Sequence, residues 1–292
     1  MTMSGWTLGV IGGSGLYAID ALEDPQWIEI DTPWGQPSDA LLTGHIGDVR
    51  LVFLPRHGRG HRIAPSGINF RANIDALKRA GCTDILSVSA IGSLREPLPP
   101  GRFVVIDQLI DRTFAREKSF FGTGMVAHVS MADPVCPRIA GFAAEAARRA
   151  GAEVSEGGCY LAMEGPQFSS RAESHVYRSW NCDVIGMTAM PEAKLAREAE
   201  LPYALVGMVT DYDCWREGEA YVEVDQVMAV MAANSAKARR MVRELVALLP
   251  AERTPSPIDT VLDQALMTAP DARDPALLAK LDAVAGRALA RR

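Results

Sequence analysis

The chain has 292 residues, of which 48% are hydrophobic and 23% charged, and its formal net charge is −6 at pH 7. This composition is typical of a globular protein with a sizeable core. The acidic balance argues against a nucleic-acid partner, since contacts to the phosphate backbone normally require a basic excess. No apolar stretch approaches the roughly 20 residues that span a bilayer, and the N-terminus lacks a signal-peptide pattern. We therefore expect a soluble protein without a membrane partner.

Apolar runs alternate with helical periodicity along the chain, which predicts an α/β fold around a central sheet. The predicted strands are 8–11, a hairpin within 40–54, 85–91, 102–110, 159–163, 183–187 and 203–210. The predicted helices are 69–80, 137 to a stop at Gly151, one from 170, one from 191, and a long one from 224 towards 249. Residues 251–257 have the composition of a linker. We predict a catalytic domain over 1–250 and a helical tail over 251–292 that packs on the body or on a neighbouring subunit.

Five cysteines are widely spaced and form no CxxC pair. This usage favours free thiols in a reducing cytoplasm.

A glycine-rich segment, GVIGGSGLY from Gly9 to Tyr17, follows the first predicted strand. Its backbone amides can turn towards an anion, and Ser14 adds a hydroxyl donor. Gly13, Gly15 and Ala18 also fit the GxGxxG/A dinucleotide fingerprint, which leaves a nicotinamide-dependent oxidoreductase as an alternative. That fingerprint requires a following helix, and residues 18–27 have little helical periodicity. A tight turn without any ligand is the third interpretation.

A basic cluster, RHGRGHR from Arg56 to Arg62, lies in a glycine-broken loop of this acidic chain. Arginine donates two parallel hydrogen bonds to phosphate oxygens, and His57 can donate another bond or relay a proton. The alternatives are a solvated loop and, with less support, a metal site at His57 and His61, because no further ligand accompanies them. Ser89 and Ala90 follow a buried strand, where α/β sheets bind ligands, although a plain strand end has the same pattern.

Two carboxylates, Asp211 and Asp213, follow the last predicted strand. In an extended chain, residues two apart point the same way, so both can meet one ligand. Adenine suits such a pair, since its amino group donates to a carboxylate and its N7 accepts from a protonated acid. Burial beside a second carboxylate raises an aspartate pKa and favours a shared proton. A pair of turn or capping aspartates is the alternative.

These four segments occur in one order with two others. Together they resemble the trimeric purine nucleoside phosphorylase family, within it the methylthioadenosine phosphorylases. The motifs are GGSG from Gly12, RHG from Arg56, SAIGS from Ser89, EGPQFSSRAE from Glu164, MTAMPE from Met187 and TDYDCW from Thr210. The similarity extends from about residue 8 to 249. Ser14 and Ser89 stand where threonine is common in relatives, but the hydroxyl is kept.

The resemblance implies a three-layer α/β/α fold with a twisted mixed central sheet. It also implies a homotrimer or a dimer of trimers that splits methylthioadenosine with inorganic phosphate as co-substrate. No cofactor and no metal is expected. A phosphorylase for adenosine, 6-oxopurine nucleosides or methylthioinosine, a hydrolytic nucleosidase and a non-catalytic nucleoside-binding protein remain as alternatives.

The same resemblance assigns roles to individual residues. Phosphate would be held by Ser14, Arg56, His57, Ser89, Ala90 and Thr188. The nucleoside would contact Phe168, Ser169, Met187, Thr210, Asp211 and Asp213, with Val224 and Val227 around the methylthio group and His128 arriving from a neighbouring subunit. Asp211 would give a proton to N7 of the base and Asp213 would read its amino group, with His57 as the third catalytic residue.

Overall fold

The computed structural model describes residues 5–13, 15–16, 19–216 and 224–290, and the side chains of residues 224–229 lie outside this description. Among these residues, eleven strands form one mixed sheet. The strands are β1 Thr7–Gly12, β2 Glu23–Ile28, β3 Leu41–Ile46, β4 Val49–Pro55, β5 Asp84–Ser93, β6 Phe103–Val105, β7 Gln108–Asp111, β8 Val154–Glu156, β9 Cys159–Ala162, β10 Val184–Gly186 and β11 Tyr203–Asp211. No helix in the described ranges has the length and apolarity to cross a membrane.

Helices cover both faces of the sheet, which confirms the predicted α/β/α class. They are α1 Phe70–Arg79, α2 Pro137–Arg149, α3 Arg171–Ser179, α4 Ala189–Glu198, α5 Val224–Leu248, α6 Pro275–Lys280 and α7 Asp282–Leu289. Short 3₁₀ turns lie at Pro65–Gly67, Pro257–Asp263 and Pro270–Ala272. Local signals set the helix starts: the Asn69 side chain accepts the Ala72 N–H, and Ser170 and Glu173 form a capping box at α3.

The central strands are apolar on both faces because both faces are buried. Leu51 and Phe53 of β4 join the core under α2 and α5, whereas the alternate residues Val52 and Leu54 join the core under α1, α4 and α7. The same alternation holds along β1, β5 and β11. Along the sheet the strands follow the order β2-β3-β4-β1-β5-β10-β9-β7. Outside this run, β11 pairs with β5 and β6.

Three sequence expectations for strands were incomplete. The predicted strand 102–110 is two strands, because the chain changes neighbours after Val105: β6 pairs with β11 and β8, and β7 pairs with β9. Apolar periodicity does not reveal such a change. The edge strand β2 was missed since it is largely exposed and contains Pro25, and β8 was missed because it has only three residues.

Residues after 250 pack on the layer that contains α1 and α4. Arg287 donates to Glu200 at 2.7 Å, the Leu262 N–H donates to Glu200 at 3.0 Å, and Arg79 pairs with Asp282. Leu262 and Leu281 are fully buried in the same core. The C-terminal segment thus covers the body of its own chain.

Candidate active site

Predicted motifs from distant parts of the sequence meet at one edge of the sheet. Strands β5 and β11 are parallel neighbours, with Gly207 opposite Ser89 and Asp211 opposite Gly92. The backbone N–H of Arg56, just after β4, donates to the carbonyl of Gly12 at the end of β1, with an N–O distance of 3.0 Å. Because β1, β4, β5 and β11 run in the same direction, their carboxyl ends lie together at the edge where open α/β sheets bind ligands.

Arg56 is the centre of a buried polar network, which we call the Arg56 cluster: Arg56, Ser87, Glu192 and Tyr203. The guanidinium makes a bidentate pair with Glu192, at 2.8 Å from Nε and 3.1 Å from Nη2. Nη2 also donates to Ser87 Oγ at 2.5 Å, and Nη1 donates to the Val88 carbonyl at 3.2 Å. The hydroxyls of Ser87 and Tyr203 donate to the same Glu192 carboxylate, at 2.6 and 2.9 Å.

The pairing within the Arg56 cluster fixes the guanidinium before any ligand arrives. Arg56 has five N–H groups, and four of them have partners among the described residues. One N–H on Nη1 is left to bind a ligand. The positive charge is balanced by Glu192, with both side chains 3% exposed or less.

His57 is neutral in this environment. Burial, together with the charge of Arg56, lowers its pKa to about 4. Its Nδ1 lies 2.8 Å from the carbonyl of Ile63, which can only accept, so the ring proton belongs on Nδ1. Nε2 therefore presents a lone pair that can accept a hydrogen bond from a ligand.

The rest of the predicted basic cluster faces elsewhere. Arg59 pairs with Asp39 at 2.9 Å, Arg62 donates to the Ser38 carbonyl at 2.7 Å, and His61 stacks on His57. Only the first two residues of the cluster are directed towards the strand ends. No set of three or more His, Cys, Asp and Glu side chains in the described part of the chain could hold a metal ion.

Two buried hydroxyls converge next to the Arg56 cluster. Ser89 Oγ lies 3.2 Å from Thr188 Oγ1, and both residues are under 9% exposed. The Thr188 N–H donates to the Tyr160 hydroxyl at 3.3 Å, which fixes the backbone at this point. Thr188 stands at the N-cap of α4, but its side chain makes no capping bond. Ser89 Oγ also donates to the Ala90 carbonyl at 3.1 Å, so both hydroxyls have to turn away from their present partners to donate to an anionic ligand beside Arg56.

The loop after β9 approaches the segment around Met187 closely. Gly165 has φ of +72°, and a Cβ at this position would lie 2.5 Å from Met187 Sδ. Glycine is therefore required both for the turn and for the space. Further along this loop Phe168 is 48% exposed and Ser169 is buried, and the Cys214 thiol donates to the Ser169 carbonyl at 3.2 Å. This bond brings the loop to the end of β11.

Asp211 and Asp213, the aspartate pair, come together through a turn and not through extended chain, so the predicted reason for their meeting was wrong. β11 ends at Asp211, and Asp213 has φ of +52°, which aspartate tolerates. The Asp213 N–H donates to Asp211 Oδ1 at 2.8 Å, and the Thr210 hydroxyl donates to Oδ2 at 2.7 Å. Gly92 leaves room for this carboxylate, since a Cβ there would lie 3.0 Å from Oδ1.

Among the described residues, no ion pair joins the aspartate pair to a lysine or arginine, and both carboxyls are largely withdrawn from solvent. Burial raises the pKa of Asp211 despite the hydrogen bonds from Thr210 and the Asp213 amide. Burial also raises the pKa of Asp213 to about 6, and the charge of Asp211 adds to this. Asp213 Oδ2 is a buried oxygen without a hydrogen bond of good geometry among the described residues, although the hydroxyls of Ser174 and Ser169 lie near enough to lower the pKa of this carboxyl. Such a group is expected to bind a donor on a ligand.

Four predicted site residues are not joined to this arrangement. Ser14 lies outside the described residues, as do the side chains of Val224 and Val227, although both valines are in the first turn of α5. His128 is exposed, and its N–H donates to Ala265 in the C-terminal segment. The hydrogen bonds of the described residues do not connect it to the strand ends.

The dinucleotide fingerprint has no structural support. Within the described part of segment 13–28, residues 20 and 21 form a turn and the chain then enters β2, an antiparallel neighbour of β3. The helix that would hold a pyrophosphate at its N-terminus is not found there. We therefore set aside the nicotinamide-dependent oxidoreductase.

Comparison with known proteins agrees with this geometry. Residues 7–247 match the sequence model of the Phosphorylase superfamily. The chain belongs to this superfamily. It is 60% identical over 284 residues to an S-methyl-5'-thioadenosine phosphorylase of Cereibacter sphaeroides, covering 97% of this chain and 98% of the relative. A protein of the same name from Rhodospirillum rubrum is 56% identical, covering 97% of each chain.

Solved structures of phosphorylases have the same fold. A methylthioadenosine phosphorylase from an antarctic soil metagenomic library superposes with a TM-score of 0.90 at 45% identity, covering 96% of this chain and 99% of that one. A methylthioadenosine phosphorylase from Schistosoma mansoni in complex with adenine has a TM-score of 0.80 at 40% identity, covering 85% and 93%. The expected family and fold are confirmed.

The residues that hold Arg56 in place by hydrogen bonds were not identified from the sequence. Glu192, Ser87 and Tyr203 hold Arg56, yet only Glu192 belonged to a motif, and none received a role. Ser87 and Tyr203 are ordinary members of strands in the sequence. The available signal was the need of a buried arginine for a carboxylate, which Glu192 in an otherwise apolar segment can meet.

Proposed function

We propose that this protein cleaves 5'-methylthioadenosine with inorganic phosphate, giving adenine and 5-methylthio-α-D-ribose 1-phosphate. The decisive observation is that a fixed, buried arginine with two neighbouring hydroxyls shares one sheet edge with an underpaired aspartate pair. The first group suits an anion, and the second suits a purine that carries an amino group. The names of the relatives at 56–60% identity support the substrate.

Phosphate would lie between the free N–H of Arg56, the hydroxyls of Ser89 and Thr188, and the amide of Ala90, with Ser14 as a further donor. These partners are neutral or already paired, so they bind through directed hydrogen bonds from a network that needs little reorganisation. The Nε2 lone pair of His57, whose pKa is lowered to about 4, can accept a hydrogen bond from the hydroxyl of monohydrogen phosphate, which stays a dianion. The phosphate oxygens then keep the charge needed to attack the sugar.

The N-glycosidic bond would break through an oxocarbenium-like sugar, which the bound phosphate stabilises before attacking C1' from the opposite face and inverting it. Burial raises the pKa of both carboxyls, so the aspartate pair would share a proton that Asp211 gives to N7, which makes adenine a better leaving group. Asp213 would accept the 6-amino group through its unpaired Oδ2. Thr210 holds Asp211, Phe168 and Ser169 contact the base, and Met187 lies along the ribose.

The assembly and its location belong to the same proposal. A homotrimer, or a dimer of trimers, would allow the exposed His128 of one subunit to complete a neighbouring site, with Val224 and Val227 around the methylthio group. The scheme needs no cofactor and no metal, since phosphate is the nucleophile. A cytoplasmic location is supported by free thiols at all five cysteines. Light scattering on a sizing column tests the trimer.

One assay tests the function: adenine release from methylthioadenosine and adenosine, and hypoxanthine release from inosine, each with and without phosphate. We expect fast release from methylthioadenosine that stops when phosphate is removed, and little from inosine. Full-rate release without phosphate would indicate a nucleosidase. Preferred cleavage of inosine would indicate a 6-oxopurine enzyme, and binding without release would indicate a nucleoside-binding protein.

A further inference from the structure

Arg116 is buried at the junction of several loops and uses its whole guanidinium there. Its side chain is 1% exposed. Nη1 donates to the carbonyls of Met187 at 2.6 Å and Met190 at 2.7 Å. Nη2 donates to the carbonyl of Glu164 at 2.6 Å and reaches that of Met163 at 3.5 Å, and Nε donates to Glu164 Oε1 at 3.1 Å. Five donors thus meet five acceptors on two separate segments.

The segment from Met187 to Met190 needs this outside donor because it is not regular helix. Met190 has φ of −119° and ψ of 136°, although it lies within the bounds of α4. In an α-helix each carbonyl accepts a hydrogen bond from the N–H four residues later, and an extended residue interrupts this pattern. Buried carbonyls without a partner cost free energy, and Nη1 satisfies two of them. Thr188 lies between the two carbonyls that Arg116 holds.

Glu164 is the second half of this junction. Its carboxylate accepts from Ser66, from the backbone N–H groups of Phe114 at 2.7 Å and Ala115 at 3.2 Å, and from Arg116. Burial opposes its ionisation, but these hydrogen bonds outweigh burial and lower its pKa to about 2. Glu164 is therefore ionised at any physiological pH, and it begins the loop that carries Phe168 and Ser169.

The geometry points to Arg116 as a positioning residue: paired with Glu164, it sets the distance between the Met187–Thr188 segment and the loop of Phe168 and Ser169. This inference rests on the proposed function, in which those segments hold ribose, phosphate and base. Arg116 has all five N–H groups engaged, and its side chain is 1% exposed, so it has no donor left for these ligands. The planar guanidinium with its five N–H donors is needed because the acceptors lie on two segments, at Glu164 and at Met187–Met190. Lysine offers three donors from a single nitrogen atom.

The test is Arg116→Lys in the full-length protein. Each kinetic constant is corrected for the folded fraction, which is measured by urea unfolding under assay conditions. We expect kcat/KM for methylthioadenosine to fall by about 10²-fold, since a misplacement near 1 Å is enough for such a loss. We expect the KM for phosphate to rise as well, because Thr188 moves with the carbonyls on either side of it. Guanidinium ion added to Arg116→Gly should restore part of the rate.

Arg253→Lys is the matched control. Arg253 is also a part-buried arginine held by carboxylates, Asp84 and Asp259, but at the opposite end of β5. We expect Arg253→Lys to lose stability and to keep wild-type kcat/KM per folded molecule. Wild-type kinetics in Arg116→Lys, or a loss that matches its folded fraction alone, would overturn the positioning role. Adenine release without phosphate by the wild-type protein would instead overturn the proposed function, whatever Arg116→Lys does.

Discussion

The two ends of the candidate site both hold polar groups away from solvent, the Arg56 end more completely, but they differ in how these groups are paired. In the Arg56 cluster a cation, a carboxylate and two hydroxyls satisfy one another, and one N–H is left for a ligand. In the aspartate pair, two carboxylates share the hydrogen bonds of Thr210 and one amide, and Asp213 Oδ2 has no hydrogen bond of good geometry within the described ranges.

This difference corresponds to what each end must do in phosphorolysis. An anion that binds and attacks needs donors fixed in advance, and the bidentate pair with Glu192 supplies that rigidity. A departing base needs a proton donor, and an aspartate keeps a proton near neutral pH only when solvent and cations are withheld. The paired polar groups therefore lie at the phosphate end. At the base end, the buried and underpaired carboxylates lower the free energy of unfolding.

The largest effect is expected at the base end. Asp211→Asn keeps the size of the side chain but removes the transferable proton, so kcat/KM for methylthioadenosine should fall by about 10²–10⁴-fold. The affinity for phosphate should stay within a factor of two to three, ~0.5 kcal/mol. Steady-state kinetics with each substrate varied in turn measure both quantities.

The control for this change is Asp84→Asn, another buried aspartate, which pairs with Arg138 and Arg253 at the far end of β5. It should destabilise the fold and leave kcat/KM per folded molecule unchanged. Unaltered turnover in Asp211→Asn would show that N7 protonation does not depend on Asp211.

Next in size is the loss of the fixed pair at the phosphate end. Glu192→Ala leaves the Arg56 guanidinium buried without its counter-charge and should lower the free energy of unfolding by about 3–5 kcal/mol. Glu192→Gln keeps the shape and part of the hydrogen bonding, so it should lose less. Urea unfolding of both variants, with the KM for phosphate, checks this. A loss below about 1 kcal/mol in Glu192→Ala would mean that Arg56 finds other partners.

The comparison also explains what the sequence could predict. Arg56, His57, Asp211 and Asp213 are polar residues at strand ends, and this pattern, with the motif order, predicted one shared edge. Ser89 was expected after a strand but lies within it, because β5 continues to Ser93. The supporting residues were not predictable in the same way. Whether Glu192 or Arg116 faces inward depends on the course of segments such as Met187–Met190, which leaves the helical path at Met190.

Turn geometry and changes of strand neighbour were the other limits. The approach of Asp213 to Asp211 depends on one positive φ, and the division of 102–110 depends on strand pairing far along the chain. Periodicity records burial of a segment but not its partner. The long α-helices and the buried strands, whose patterns are repeated over many residues, were predicted within a few residues of their ends.

A smaller effect is expected in the pH dependence of stability. Burial raises the pKa of Asp213 from 3.8 to about 6, so the folded protein binds the proton more tightly than the unfolded chain. The resulting stabilisation is complete below about pH 4 and is lost as the pH rises through 6. Relative to wild type, Asp213→Asn should therefore gain up to about 3 kcal/mol between pH 4 and pH 7. Urea unfolding across this range measures the difference.

The carboxylate of Asp39 should give the opposite pH dependence of stability, because its pKa is lowered and that of Asp213 is raised. Burial opposes its ionisation, but its hydrogen bonds with Arg59 outweigh burial and lower its pKa. Relative to wild type, Asp39→Asn should lose stability as the pH rises from acid through 4. Parallel pH curves for the wild type and Asp213→Asn would mean that the folded protein does not hold the extra proton.

The smallest effect separates the two halves of the basic loop. Arg59 belongs to the same run of residues as Arg56, but its side chain is 52% exposed and it pairs with Asp39 at 2.9 Å. Water and salt screen the Arg59 side of this pair, and screened pairs contribute about 0–1 kcal/mol. The Asp39 carboxylate is only 7% exposed, but it keeps the backbone N–H groups of Ala40 and Arg59 as partners. Arg59→Ala should therefore change the free energy of unfolding by less than about 1 kcal/mol and leave the KM for phosphate within about twofold. Arg56→Ala, in contrast, should raise that KM strongly. If both variants raised it equally, phosphate would be drawn by the charge of the whole loop, and the fixed Arg56 cluster would not be the selective element.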